Sequence, residues 1–203
     1  MSKLIGRLLV VLAFGWSGMA TSALIDNGDT TIDTNTGLEW LDLTLTKNQS
    51  YNSILGGYGG YLADGYIYAT SSQLCGIWGS LGDDVSNCLN LSDINSSDLL
   101  QQASATTLTT LLGATLSNRT QIGTYGMYDS GLIDSGRNGL GCIDSGSNSV
   151  CLADVSPPKA SRADRWTNLD YSQESIGSWL VRSAEVPTPA TIPLLGIALA
   201  ALG

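Results

Sequence analysis

Between Leu24 and Glu185 the apolar residues come in short, separated groups whose spacing changes along the chain. Leu24-Ile25 and Thr30-Thr-Ile32 flank Asn27-Gly28, a dipeptide suited to the positive φ of a tight hairpin turn. A short strand, a turn there and a second strand or turn are expected. In Gly37-Leu-Glu-Trp-Leu-Asp-Leu43, Leu38 and Trp40 share one face of a strand and Glu39, Leu41 and Leu43 the other. That is the mark of a strand partly covered on both faces, with Trp40 in the core. The spacing then turns helical. Ser50 opens a short helix to Leu55, ended by Gly56-Gly-Tyr-Gly-Gly60, since glycine suits the end of a helix. After a short strand over Gly65–Thr70, Thr70 or Ser71 caps a second helix to about Leu81, with Leu74, Ile77, Trp78 and Leu81 on one stripe. Ser97-Asp98 caps a third, from Leu99 to about Leu112, which Thr106, Thr107, Thr109 and Thr110 weaken.

From Thr120 onward the pattern is β. Strands are expected over Gln121–Tyr128 and Gly131–Ile133. A hairpin over Cys142–Cys151 turns at Gly146–Ser149, Pro157–Asp170 is loop, and Ser178–Ala184 closes the fold. Helices and strands are intermixed, so the class is α+β: two to three helices packed on a small, mostly antiparallel sheet.

The two ends differ from this body. Met1–Ala23 carries Lys3 and Arg7, then the apolar run Leu8–Phe14, then small residues ending in Ala23. This is a signal peptide, with cleavage expected after Ala23. Residues 24–185 form one globular extracytoplasmic domain. Residues 186–203 open on a hinge with Pro187 and Pro189 and continue as an apolar helix to Gly203. An exposed apolar run of this kind is directed to a membrane, although it is shorter than the roughly 20 residues that span a bilayer.

Charge narrows the partners. The chain has 18 acidic and 9 basic residues. Lys3 and Arg7 leave with the signal peptide, so the mature chain carries 18 acidic against 7 basic residues, a net −11. That disfavours nucleic acid as a partner. The sequence contains no histidine, which removes the usual general base, metal ligand and triad partner. Cys75, Cys88, Cys142 and Cys151 all lie in the exported body, and four cysteines allow three pairings. Proximity in sequence predicts Cys75–Cys88 and Cys142–Cys151. Neither pair has the Cys-x-x-Cys spacing of a zinc site.

The tail resembles the PEP-CTERM sorting signal of Gram-negative bacteria, which sets Pro-x-Pro before a short apolar helix. Pro187 and Pro189 stand at its two prolines, and Thr188 stands where the signal usually has Glu. The resemblance implies recognition by a membrane-embedded sorting protease, an exosortase, with transient anchoring in the inner membrane. It extends into the body. Thr36-Gly-Leu-Glu-Trp-Leu-Asp42, Ser50-Tyr51, Gly65–Thr70, Gly126-Met-Tyr128 and Trp179-Leu-Val-Arg182 are similar in order to PEP-CTERM cargo proteins whose domains look like the C-type lectin fold. Such domains open with a Thr-Gly-Leu-x-Trp strand, run two helices and close with a strand ending in Val-Arg.

Candidate chemistry is sparse. Asp83-Asp84 offers clustered carboxylates to calcium, set against the simpler reading of a solvated acidic loop. Asn168-Leu-Asp170 after Trp166 is similar to the Trp-Asn-Asp element of sugar-binding lectins, interrupted by Leu169, and its Glu-Pro-Asn partner is missing. Glu39 and Glu174 are the carboxylates a glycosidase reading would need, with nothing in the sequence to bring them together. Tyr51, Tyr58, Tyr61, Tyr66 and Tyr68 crowd one region, as packing or as a stacking platform for sugars. The reading that results is a non-enzymatic exported protein, without catalytic residues or cofactor, sorted to the cell surface or extracellular matrix. The alternative is a polysaccharide- or calcium-binding lectin-like module.

Overall fold

The first strands form where the alternation places them. In this computed structural model, residues 24–86, 88, 102–119, 122–131, 138–145, 149–153 and 168–185 are described. β1 (Leu24–Asp26) and β2 (Thr30–Asp33) pair as an antiparallel hairpin. Gly28 takes φ +85° at its turn, and its N–H donates to Asp26 Oδ1 at 2.7 Å. β3 (Leu38–Leu41) follows, then a short 3-10 turn over Leu43–Thr46 and helix α1 (Tyr51–Leu55). The Ser50 hydroxyl accepts from Ser53 N at 3.0 Å, capping α1. Five residues do not hold a helix alone. Tyr51 and Ile54 are buried, each contributing on the order of 1.5–3 kcal/mol, and that tertiary burial holds it.

β4 (Ile67–Tyr68) leads into α2 (Ser71–Gly79). Thr70 caps α2 through a reciprocal pair, in which Gln73 N donates to Thr70 Oγ1 and Thr70 N donates to Gln73 Oε1. Leu74, Cys75, Ile77 and Trp78 are its buried stripe, with Leu81 packed against the same core. α3 (Gln102–Leu111) carries its threonines by a local device. The hydroxyls of Thr106, Thr107 and Thr110 each donate to the carbonyl four residues back, at 2.8, 2.8 and 2.9 Å. The expected start of this helix at Leu99 and its caps Ser97-Asp98 lie outside the described residues, as do the expected strand over Leu132-Ile133 and most of the Pro157–Asp170 loop.

The second half supplies β5 (Leu116–Ser117), β6 (Ile122–Tyr128), β7 (Gly139–Asp144), β8 (Ser149–Ala153), β9 (Gly177–Ser178) and β10 (Leu180–Ser183). The fold is α+β, as expected. The single small sheet is corrected: among the described residues there are two, each of five strands. Sheet 1 runs β1-β2-β3-β10-β4, antiparallel throughout. Sheet 2 runs β5-β6-β7-β8, with β9 parallel to β6. The closing strand is also corrected. It breaks at Trp179, giving Gly177-Ser178 to sheet 2 and Leu180–Ser183 to sheet 1. Trp179 N donates to Met127 O, and Trp179 O accepts from Ala69 N, both at 2.8 Å.

The strands feed two cores through alternate residues. Trp40, Tyr128 and Val181 point to a core with Leu43, Leu74, Trp78, Leu108 and Trp179. Their neighbours Leu41, Met127 and Leu180 point to another with Tyr51, Ile54, Tyr68 and Leu140. Covered on both faces, the strands show little polar alternation.

Candidate functional site

Cys75 on α2 and Cys88 are joined, with Cα atoms 5.8 Å apart, and both are buried in the core around Trp78. Cys142 is also disulfide-bonded, and Cys151 stands opposite it in the β7–β8 register. Ala23, Pro187 and Pro189 lie outside the described residues, as does the apolar run of the tail. Among the described residues no helix is long and apolar enough to cross a membrane.

The candidates for calcium and sugar chemistry are used locally. Asp84 Oδ1 accepts from Ser86 N at 3.0 Å, and that bond holds the exposed Asp84 carboxyl below its usual range. Among the described residues no group of three or more acidic, cysteine or histidine side chains converges as a metal site. Asn168 Oδ1 accepts from Asp170 N at 2.8 Å, and Asp170 Oδ1 accepts from Asn52 Nδ2 at 2.7 Å. These bonds close a turn onto α1. The tyrosines divide in favour of packing. Tyr51, Tyr66 and Tyr68 are buried, Tyr61 is half-buried, and Tyr58 stands exposed on the glycine-rich loop. Tyr51 and Tyr68 stack at 3.8 Å between centroids, inside the protein rather than on its surface.

Glu39 is committed elsewhere than to Glu174, which is exposed. It lies opposite Arg182 in the β3–β10 register. Arg182 Nε donates to Glu39 Oε2 at 3.0 Å, and Arg182 Nη2 donates to Glu39 Oε1 at 2.9 Å, a bidentate pair. Tyr66 Oη donates to Glu39 Oε1 at 3.1 Å, and Arg182 Nη1 donates to Asp64 O at 3.1 Å. The guanidinium also lies 4.5 Å from the Tyr66 ring centroid. The Arg182 hydrogen bonds hold the Glu39 carboxyl below its usual range against the opposing effect of burial. Burial first, and then the Glu39 charge, push the Tyr66 hydroxyl up to about 12. Each group therefore keeps one protonation state near neutral pH, as suits a clamp between strands and not a proton-transfer pair. The sequence reading noted both Glu39 and Arg182 but did not join them. The signal was there: each is a charge beside buried apolar neighbours, Trp40 next to Glu39 and Val181 next to Arg182.

A notch of about 310 Å³ lies at the start of α2, lined by Thr70, Ser71, Ser72, Asp129, Ser130 and Gly131. It offers hydroxyls and one carboxylate.

No family model matches this chain, and no curated protein or solved structure shows significant similarity to it.

Proposed function

We propose that this is an exported, non-enzymatic cell-envelope or extracellular-matrix protein of a Gram-negative bacterium, sorted by a PEP-CTERM-type tail. The observation that carries the reading is the buried Cys75–Cys88 cystine. A core disulfide belongs to a chain that folds in an oxidising compartment, which is where the Met1–Ala23 signal sends it. The body's pairing runs from Leu24 to Ala184, whose N–H donates to Gly37 O at 2.9 Å, so the predicted cuts leave every described strand intact. Support for the C-type-lectin-like reading is the order of its parts: a strand with Leu38-Glu-Trp40, the helices α1 and α2 next in the chain, and a closing strand with Val181-Arg182 that returns to pair with that strand. The partner is a membrane-embedded sorting protease at the tail, with exopolysaccharide as the candidate matrix contact.

Expression in a host that carries the sorting protease tests this. The exported product should begin at Leu24, carry its disulfides and reach the cell surface or medium. Full-length protein with free thiols in the cytoplasm would sink the reading.

A further inference from the structure

Sheet 1 aligns the two ends of the body. Leu24 pairs with Asp33, Asp33 with Leu38, and Leu38 with Ser183, so the four residues form one rung across β1, β2, β3 and β10. β1 begins at this rung and β10 ends on it. Three inter-strand steps of about 4.8 Å separate entry from exit, or about 14 Å. Ala184 is then held to the Thr34–Gly37 turn by its bond to Gly37 O. Both predicted membrane-directed segments therefore attach at the same pole of the domain.

Chain length fits this. Nine residues, Gly15–Ala23, separate the apolar run of the signal from Leu24, and six, Val186–Thr191, separate Glu185 from the tail's run. At about 3.3 Å per extended residue they reach roughly 30 Å and roughly 20 Å. Neither needs a strand to unpair before its apolar run meets the bilayer. Had the ends lain at opposite poles, one linker would have had to cross the domain, or a terminal strand to peel away.

Resting on the export reading above, we propose that the body completes its fold while both apolar ends are still in one bilayer, with the pole of Leu24, the Thr34–Gly37 turn and Ser183 turned toward the lipid. Folding then precedes either cut, and both cleavage regions hang below a finished domain. The tail leaves from β10, an interior strand whose Val181–Ser183 pair with β3 and whose Leu180–Val181 pair with β4.

The test uses the full chain with Ala23→Trp, which replaces the small residue needed for signal cleavage, in a host without the sorting protease. Three readouts are taken: mass, carbonate extraction of membranes, and thiol labelling without reductant. The expected result is an uncleaved, carbonate-resistant protein with no more labelled thiols than the cleaved wild type. Carbonate-resistant protein with Cys75 and Cys88 free would overturn the inference and leave the export reading standing. Uncleaved protein extracted by carbonate would overturn the reading, and the inference with it. Orientation is read by a photoactivatable lipid crosslinker on T36C or on N27C at the far turn. Lipid adducts from position 36 and not 27 are expected, and the reverse would place the wrong pole on the membrane.

Discussion

Trp179 donates its indole Nε1–H to the carbonyl of Gly141 at 3.0 Å while its ring stands edge-on to Trp40, with centroids 6.1 Å apart. The ring lies over a row of glycines. Gly141 pairs with Gly126 and Gly126 with Gly177 across β7, β6 and β9. A Cβ on Gly126 would come within 2.5 Å of Leu43 Cδ2 and 2.9 Å of Trp179 Cδ1, and one on Gly177 within 2.3 Å of Leu43 O. The missing side chains make the seat in which Trp179 and Leu43 pack. Gly126→Ala should cost about 1–3 kcal/mol through overpacking. Gly177→Ala should cost at least as much, because its obstacle is backbone. Trp179→Phe should lose about 0.5–1.5 kcal/mol with the indole hydrogen bond to the Gly141 carbonyl. Urea unfolding followed by tryptophan fluorescence measures each, and wild-type midpoints for the two alanine variants would refute the seat.

The clamp between Glu39 and Arg182 predicts an acid limb in stability. Because the Glu39 pKa is lowered from 4.5 in the fold, its contribution is present above that value and is lost as pH falls through the lower, folded one. Wild type should therefore lose stability on acidification below about pH 4.5 more steeply than Glu39→Gln. At pH 7, Glu39→Gln should cost about 1–2 kcal/mol, a charged hydrogen-bond pair discounted because Arg182 is about a third exposed. Arg182→Lys should recover little of an Arg182→Ala loss, since lysine cannot make the fork. Parallel stability curves for wild type and Glu39→Gln between pH 3 and 7 would remove Glu39 from this role.

What the sequence allowed one to read follows the range of each interaction. The Gly28 turn, the Ser50 and Thr70 caps and the Cys75–Cys88 link connect residues at most 13 apart, and local pattern marks them. The division into two sheets was not legible. Ser178–Ala184 reads as one strand, and only the packing of Trp179 against Gly126 and Gly141, far off in the chain, decides where it changes sheet. The Glu39–Arg182 contact spans 143 residues, so no local period encodes it. In β6 and β7 the glycines hid the buried face, because the apolar surface over them is an aromatic ring from elsewhere. The tyrosine cluster was legible as a cluster, but its burial depends on α1 closing over β4.

Thr109 is a place where the fold carries a cost. It is buried on α3, and among the described residues its hydroxyl finds no partner. Thr109→Val keeps the shape and removes the unpaired group, so it should stabilise by about 1 kcal/mol. The gain reads as a higher thermal midpoint. A loss would mean that the hydroxyl is satisfied in solution.

Reduction of the core cystine should be costly. Cys75 and Cys88 close a loop with a sequence separation of 13, worth about 3 kcal/mol on the chain-entropy model. The double variant Cys75→Ala/Cys88→Ala should lose about that much. Because Cys88 is fully buried, thiol reagents should fail to reach the site until the body unfolds. An unchanged midpoint in the double variant would show that packing around Trp78, not the link, holds the loop.

The tail carries the last prediction. Proline fixes φ and pushes the preceding residue out of the helical region, so on the proposed sorting role Pro187 and Pro189 are expected to hold Glu185–Thr191 extended. The described body ends its pairing at Ala184, on the turn beside Leu24, and on the proposed sorting role the segment after it is expected to hang between a folded domain and the bilayer. A membrane protease needs an extended stretch to bind and cut. With both prolines changed to Ala, the helix expected over Ile192–Leu202 should propagate upstream toward the body and bury the cleavage region in its own backbone bonds. Pro187→Ala/Pro189→Ala protein should accumulate unprocessed in the inner membrane of a host that has the sorting protease, with the body folded and its disulfides formed. Product size and membrane fraction report processing, and non-reducing electrophoresis reports the fold. If the double variant is cut and released as fast as wild type, the prolines are not what the protease reads.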